Sequence, residues 1–159
     1  DIPEGNYGFE PAPQVRSVAR LLTHMALGSA FQHQVHSERR TTLEGFDFPG
    51  LVQRLMAEEQ IPRTKAQIVE LLKQDREKLA VWLEGLSDNF LGAHVAMHPG
   101  TTPSIKTRFE MLMSIKEHEM HHRGQLMLVE RLLGIVPHLT RQRQERMAAA
   151  QRRVGDGSS

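Results

Sequence analysis

Two histidines one helical turn apart, His118 and His122, are the residues of this chain best placed to do chemistry. They lie in residues 109–134, where apolar residues recur at helical spacing and predict one long amphipathic helix. At about 100° per residue, the two histidines fall on either side of the buried centre that Met111 and Val129 define, about 20° from it. Two imidazoles in this arrangement can hold one divalent metal ion from a single rigid element.

The same two histidines have a simpler interpretation as core residues whose ring nitrogens are satisfied by protein partners. Each would then need its own hydrogen-bond partner inside an apolar face, because an unpaired buried polar group is costly. That cost favours metal binding. A structural bundle whose histidines bind no metal remains the alternative.

A facial metal site needs a third ligand from another helix, and His24 is the candidate. It lies on the apolar stripe of a helix predicted from Ser17, a good N-cap residue, to about Ser37. Gly28, one turn further on, allows another element to approach the backbone closely. Three neutral imidazoles suit Zn²⁺, Ni²⁺ or Fe²⁺ and leave positions open for water or substrate, which is the catalytic pattern.

Two polar neighbours of the histidines are candidates for catalytic roles. Gln125, one turn past His122, is placed to hydrogen-bond a metal-bound water or ligand. Glu119 is placed to accept a hydrogen bond from a metal ligand or to carry a proton, although its marginal position also fits an ordinary surface carboxylate. His121 points to the edge of the apolar face and is not predicted to be a ligand.

The other histidines singled out by position are predicted to lie outside the site. His33 and His36 follow at the end of the helix that carries His24, and both are expected at the periphery. His94 and His98 share helical spacing but stand in weakly helical surroundings beside a Pro-Gly turn, so we do not predict them to bind metal.

Residues 118–122 also match the H-E-x-x-H pattern of metalloproteases. The extended pattern fails, because Gln125 stands where it needs glycine and Leu128 where it needs histidine. No sheet is predicted that would present a peptide substrate. A di-iron interpretation of Glu119-x-x-His122 also fails, because another helix carries no second Glu-x-x-His.

The composition excludes several classes of function. The 159-residue chain has no cysteine, so disulfides, thiolate ligands and a protein thiol nucleophile are excluded. A net charge of +1 gives no nucleic-acid footprint over the whole chain. No apolar run approaches the ~20 residues of a membrane span, and no signal peptide is visible. We therefore expect a cytoplasmic protein with neither nucleic-acid nor membrane partners.

Helical periodicity and capping signals predict an all-α fold, because no strand alternation stands out. Two predicted helices cover residues 17–37 and 51–60. A third begins at the capping box Thr64-x-x-Gln67 and ends near Gly85. The central helix begins at Thr102 and Pro103 and ends at Gly134. Residues 1–139 are predicted to form one helical domain. Residues 140–159 are a basic C-terminal helix or tail, with residues 154–159 disordered.

Two segments resemble the DinB-like metalloprotein family, the damage-inducible four-helix-bundle proteins. The sequence HEMHHRGQL at residues 118–126, followed by LLGI at 132–135, closely resembles one motif of that family. The sequence RSVARLLTHMA at 16–26 resembles the helix that carries the family's first histidine. The similarity runs from about residue 2 to residue 136. It implies a four-helix bundle of the up-down-down-up type with a three-histidine metal site, here His24, His118 and His122.

The resemblance also implies frequent homodimers and, in some members, transfer or isomerisation chemistry that uses a low-molecular-weight thiol such as mycothiol or bacillithiol. We therefore expect a metal-dependent enzyme, a thiol-dependent transferase or a hydrolase, acting on a small-molecule substrate. The alternative is a non-catalytic metal- or ligand-binding protein of a stress response. Family members usually carry a long first helix before the segment that corresponds to residues 1–13, and this sequence lacks it. Either that helix has been cut away, or the basic C-terminal segment or a partner chain is expected to cover the core there.

Overall fold

The fold is mostly helical, as predicted. The computed structural model describes the backbone of residues 1–156 and the side chains of residues 1–153. Two short strands, β1 (His94–Ala96) and β2 (Ile105–Thr107), pair antiparallel. The helices are α1 (Val18–Leu27), α2 (Ala30–Ser37), α3 (Phe48–Glu59), α4 (Lys65–Glu84), α5 (Asp88–Gly92), α6 (Arg108–Leu132) and α7 (His138–Asp156). The sequence did not predict the hairpin, because strands of three residues are too short for a visible alternation.

The central helix, α6, begins later than predicted. Its N-cap is Thr107, whose side chain and that of Glu110 form a reciprocal capping box. The predicted start at Thr102 and Pro103 was wrong, because β2 occupies the intervening residues. Its predicted end is confirmed: Gly134, with φ 75°, lies just past the C-cap in the left-handed conformation that glycine tolerates.

The helix predicted from Ser17 to Ser37 is two helices. Ser17 caps α1 as predicted, since its hydroxyl accepts a hydrogen bond from the backbone N–H of Arg20. Gly28 and Ser29 separate α1 from α2. Periodicity counted through this interruption misplaced His36, which was expected at the periphery and is only 1% exposed.

The buried apolar residues form two clusters, and α6 contributes to both. Met111 belongs to the cluster that α2 and the hairpin complete, and Val129 belongs to the cluster around α1 and α4. His118 and His122 therefore lie between the two clusters along α6. The helix α1 packs against α3, α4 and α6, which brings three other helices around His24.

The remaining helices agree with the sequence in kind and differ in extent. The capping box of Thr64 and Gln67 is present at the start of α4, as predicted. The basic segment forms α7, tied to the rest of the chain by an Arg141–Asp1 ion pair of 2.5 Å. The disorder predicted for 154–159 was wrong for 154–156, which belong to α7, and residues 157–159 lie outside the described residues. Within residues 1–156, no helix combines the length and apolar character that crossing a bilayer requires.

Candidate metal centre

The three histidines singled out from the sequence come together between α1 and α6. The Nε2 atom of His118 lies 2.9 Å from Nε2 of His24 and 3.1 Å from Nε2 of His122. One ring nitrogen from each residue lies within 4.8 Å of those of the other two. His122 is buried, and the other two are partly buried. The helical spacing of His118 and His122 aims both rings at the same point, and α1 supplies the third ring from across the interface.

A buried carboxylate holds the ring of His24 from behind. Glu59, at the end of α3, is 3% exposed, and its Oε1 lies 2.5 Å from Nδ1 of His24. Its Oε2 accepts a hydrogen bond of 2.7 Å from Nε of Arg16. Burial favours a higher pKa for Glu59, but the hydrogen bonds from Arg16 and His24 outweigh it and hold the pKa below its usual value. The carboxylate is therefore ionised at neutral pH and orients the ring of His24.

The ring of His122 is held by a side chain one turn along α6. Oε1 of Gln125 lies 2.7 Å from Nδ1 of His122 and accepts its N–H. The amide nitrogen of Gln125 lies 3.1 Å from Nε2 of His121. In this structure the amide of Gln125 therefore bridges two histidine rings, and its role toward a metal-bound water or ligand stays a prediction.

These hydrogen bonds decide which nitrogens can accept a metal ion. Because Nδ1 of His24 faces an ionised carboxylate and Nδ1 of His122 faces an amide oxygen, both carry their protons there. Their Nε2 atoms are left with lone pairs that point at Nε2 of His118. His118 can offer at most one proton to two such neighbours. At least one close contact therefore sets two lone pairs against each other unless a cation lies among the three rings.

Close packing and burial keep His118 neutral and in place. A Cβ atom added to Gly28 would lie 2.7 Å from Nδ1 of His118, so the ring occupies space that only a glycine leaves free. Burial, together with the neighbouring rings of His122 and His24, lowers the pKa of His118 to about 4. The pKa of His122 is lowered chiefly by burial as well. Neutral imidazole is the form that binds a metal ion.

The two nitrogen–nitrogen separations that involve His118 fit a divalent metal ion. Three nitrogens that each lie ~2.0–2.1 Å from a zinc ion are about 2.9 to 3.4 Å apart, for bond angles from 90° to tetrahedral. The two separations from His118, 2.9 and 3.1 Å, lie in this range. The donor set of three neutral imidazoles also suits zinc or nickel.

Two carboxylates near the site, Glu119 and Glu59, have different surroundings, and the catalytic role considered for Glu119 stays a prediction. Glu119 forms an ion pair of 2.5 Å with Arg76 on α4, so its carboxylate is committed to α4. Glu59 was not identified from the sequence, although it contacts His24 directly. It stands in a charged stretch at the end of a short helix, and nothing in its local sequence distinguishes it from the partly exposed neighbour Glu58.

A second buried histidine, His36, is satisfied entirely by protein groups. Nη1 of Arg108 lies 2.9 Å from Nδ1 of His36 and donates to it. Nε2 of His36 then carries the proton and donates to Oε1 of Gln32 at 3.1 Å. The amide of Gln32 donates in turn to Ser114 at 2.8 Å. We call these four residues the His36 network.

Comparison with known proteins places the fold and the family. A crystal structure of a DinB-like protein, YjoA, from Bacillus subtilis superposes with a TM-score of 0.59. The two sequences are 22% identical, and the match covers 86% of this chain and 81% of that one. No curated protein matches the chain. The sequence model of the DinB superfamily matches residues 1–126, and this chain therefore belongs to the DinB superfamily.

Proposed function

We propose that this protein binds a divalent metal ion, zinc or nickel, through His24, His118 and His122, and that it is a metal-dependent enzyme acting on a small molecule. The single observation that carries the proposal is the convergence of three Nε2 atoms, with Nδ1 of His24 and Nδ1 of His122 already hydrogen-bonded to other side chains. Such a convergence of lone pairs is costly without a cation and favourable with one.

The protein groups around the histidines have distinct tasks in this proposal. A divalent ion held by three imidazoles supplies Lewis acidity at positions that the protein leaves free. Glu59 fixes the tautomer and orientation of His24, with Arg16 keeping that carboxylate ionised. Gln125 does the same for His122. In residues 1–153, no fourth histidine, cysteine or acidic residue joins this group, as an open catalytic site requires.

The reaction class we propose is thiol-dependent transfer, with hydrolysis as the variant in which water takes the place of the thiol. Membership of the DinB superfamily supports this class through the thiol chemistry that resemblance to the family implies. Because the sequence has no cysteine, any thiol in the reaction must come from a cosubstrate. A low-molecular-weight thiol such as mycothiol or bacillithiol would meet that need.

Elemental analysis of protein purified without an affinity tag is the first test. We expect about one zinc or nickel per chain, and we expect the loaded protein to consume a thiol in the presence of small electrophiles. Protein that binds no zinc or nickel would contradict the proposal entirely. Metal without turnover, for several thiols and for water, would instead identify a non-catalytic binder. Light scattering of the same sample tests the homodimer, which stays a prediction.

A further inference from the structure

A cavity of about 590 Å³ lies beside side chains that contact the metal-site residues. It lies between the segment before α1, α1 itself, α3 and α6. Two of its lining residues also belong to the contacts of the site: Gln125 is bonded to His122, and Arg16 is bonded to the Glu59 that holds His24. A molecule in this cavity would therefore touch the groups that position two of the three histidines.

The charged groups that line this cavity are both cationic. They are Arg16 and Arg20, and no acidic residue lines the cavity. Arg16 already donates to Glu59. Nε of Arg20 is buried and has no hydrogen-bond partner, which is true of only one other buried side-chain nitrogen or oxygen in residues 1–153. A buried donor left unpaired is costly, and an anion in the cavity would compensate the charge of the guanidinium that carries this donor.

The rest of the cavity wall is largely apolar and exposed. Val15, Met56, Leu128 and Leu132 line it, and their exposed fractions are 44, 51, 59 and 57%. Large apolar side chains that stay exposed around one concave surface mark a binding site rather than ordinary surface. The volume lies within the ~300–1,000 Å³ typical of small-molecule pockets.

We propose that this cavity binds a small molecule made of a single carboxylate on an apolar body, with the carboxylate on Arg20 and the apolar part along Leu128 and Leu132. The inference rests on the proposed function, because it supplies the substrate class of the same metal site. The match of charge and surface carries it: two cations, no anion and an apolar wall select an amphiphilic anion.

Calorimetric titration of metal-free protein with octanoate tests the binding step, with 1-octanol as the neutral analogue of equal length and butyrate as the short one. Octanoate should bind with one-to-one stoichiometry. The neutral alcohol should bind about tenfold more weakly, because it lacks the charge. The short acid lacks four methylene groups and should bind about 100-fold more weakly. Equal affinity for octanoate and 1-octanol would overturn the assignment of an anion to Arg20.

Arg20→Met should weaken octanoate binding about tenfold, whereas Arg143→Met should leave it unchanged. Both substitutions remove one positive charge, but Arg143 is exposed on α7 and does not line the cavity. Leu128→Glu provides a second test that does not disturb a buried group. It should abolish octanoate binding, while Leu128→Gln should only reduce it, since only the former adds a like charge. An octanoate affinity that neither Arg20→Met nor Leu128→Glu changes would refute the site.

Placement beside the metal site is tested separately. In cobalt-loaded protein, the proton resonances of octanoate should broaden relative to zinc-loaded protein, because the cavity and His122 share Gln125. Absence of that broadening would overturn the link to the metal site. Failure to bind metal would contradict the proposed function alone, because the octanoate titration uses metal-free protein. Failure to bind octanoate, including a cavity closed by self-association, would contradict this inference alone.

Discussion

Two histidine sites lie against α6, one shared with α1 and the other with α2, and their ring nitrogens are satisfied in opposite ways. In the His36 network each ring nitrogen meets a complementary protein group, a guanidinium on one side and an amide oxygen on the other. In the group of His24, His118 and His122 the outer nitrogens of His24 and His122 contact Glu59 and Gln125, but the three inner nitrogens contact one another.

The difference shows that burial of a histidine does not by itself identify a metal ligand. His36 is more deeply buried than His122, with 1% of its surface exposed against 6%, yet its hydrogen bonds form a closed chain that ends on a backbone carbonyl through Ser114. In the candidate metal centre, the Nε2 atoms of His24, His118 and His122 instead face one another. A ring nitrogen that faces a donor or an acceptor is already satisfied. Several nitrogen lone pairs that face one another are stabilised only by a cation between them.

The largest expected effect separates the two groups by metal content. His122→Ala should abolish stoichiometric metal binding, because two imidazoles make a weak site. His36→Ala and His121→Ala should both keep about one metal per chain, since neither ring faces the centre. Elemental analysis after dialysis measures this. Loss of metal in His121→Ala together with its retention in His118→Ala would show that the assigned ligands are wrong.

Removal of the metal should lower the stability of the protein only when the site of His24, His118 and His122 is intact. A metal that binds only the folded state at about 1,000 times its Kd contributes ~4 kcal/mol, which a chelator removes. The melting temperature of unmodified protein should therefore fall on chelation, and that of His122→Ala should not change. A chelator that leaves the unmodified protein unaffected would mean that the metal does not tie α1 to α6.

The His36 network should make stability depend on pH without any metal. Burial, then the charge of Arg108, lowers the pKa of His36 to about 4 from an ordinary value of 6.5. His36 is therefore protonated near pH 6.5 in the unfolded chain but only near pH 4 in the folded protein. Stability contributed by this group is present above pH 6.5 and falls by up to about 3 kcal/mol as the pH is lowered through that window.

Urea unfolding of metal-free protein at pH 7 and pH 5 measures this loss. His36→Gln should lose less stability over the same interval, because glutamine accepts from Arg108 and donates to Gln32 but does not titrate. The comparison with the unmodified protein removes the contribution of the other histidines. Identical losses in the two proteins would show that His36 is not the group responsible.

The smallest expected effect concerns the carboxylate behind His24. Glu59→Gln should weaken metal affinity about 10- to 100-fold, because a neutral amide orients the ring but no longer strengthens it as a donor. Glu58→Gln makes the same charge change one residue away, on a carboxylate that pairs with Arg63, and should have no effect. A competition titration with a coloured chelator compares the two. Equal affinities would remove Glu59 from the site.

The sequence alone determined the features that depend on one element or on local backbone geometry. The shared face of His118 and His122 follows from the period of a helix, and the capping box at Thr64 and the end of α6 at Gly134 follow from local hydrogen bonding and φ preference. His24 was selected by the same periodicity, before any contact with α6 was known.

Only the tertiary structure decided which distant residues meet. Glu59 is 35 residues from His24, and His24 is 94 residues from His118, so these contacts depend on how whole helices pack. The same holds for Arg108 and His36, 72 residues apart. Periodicity fixes directions within one helix, but it carries no information on what another helix presents there. Packing of α1 against α3 and α6 therefore decided both the orientation of the site and which histidine nitrogens face one another.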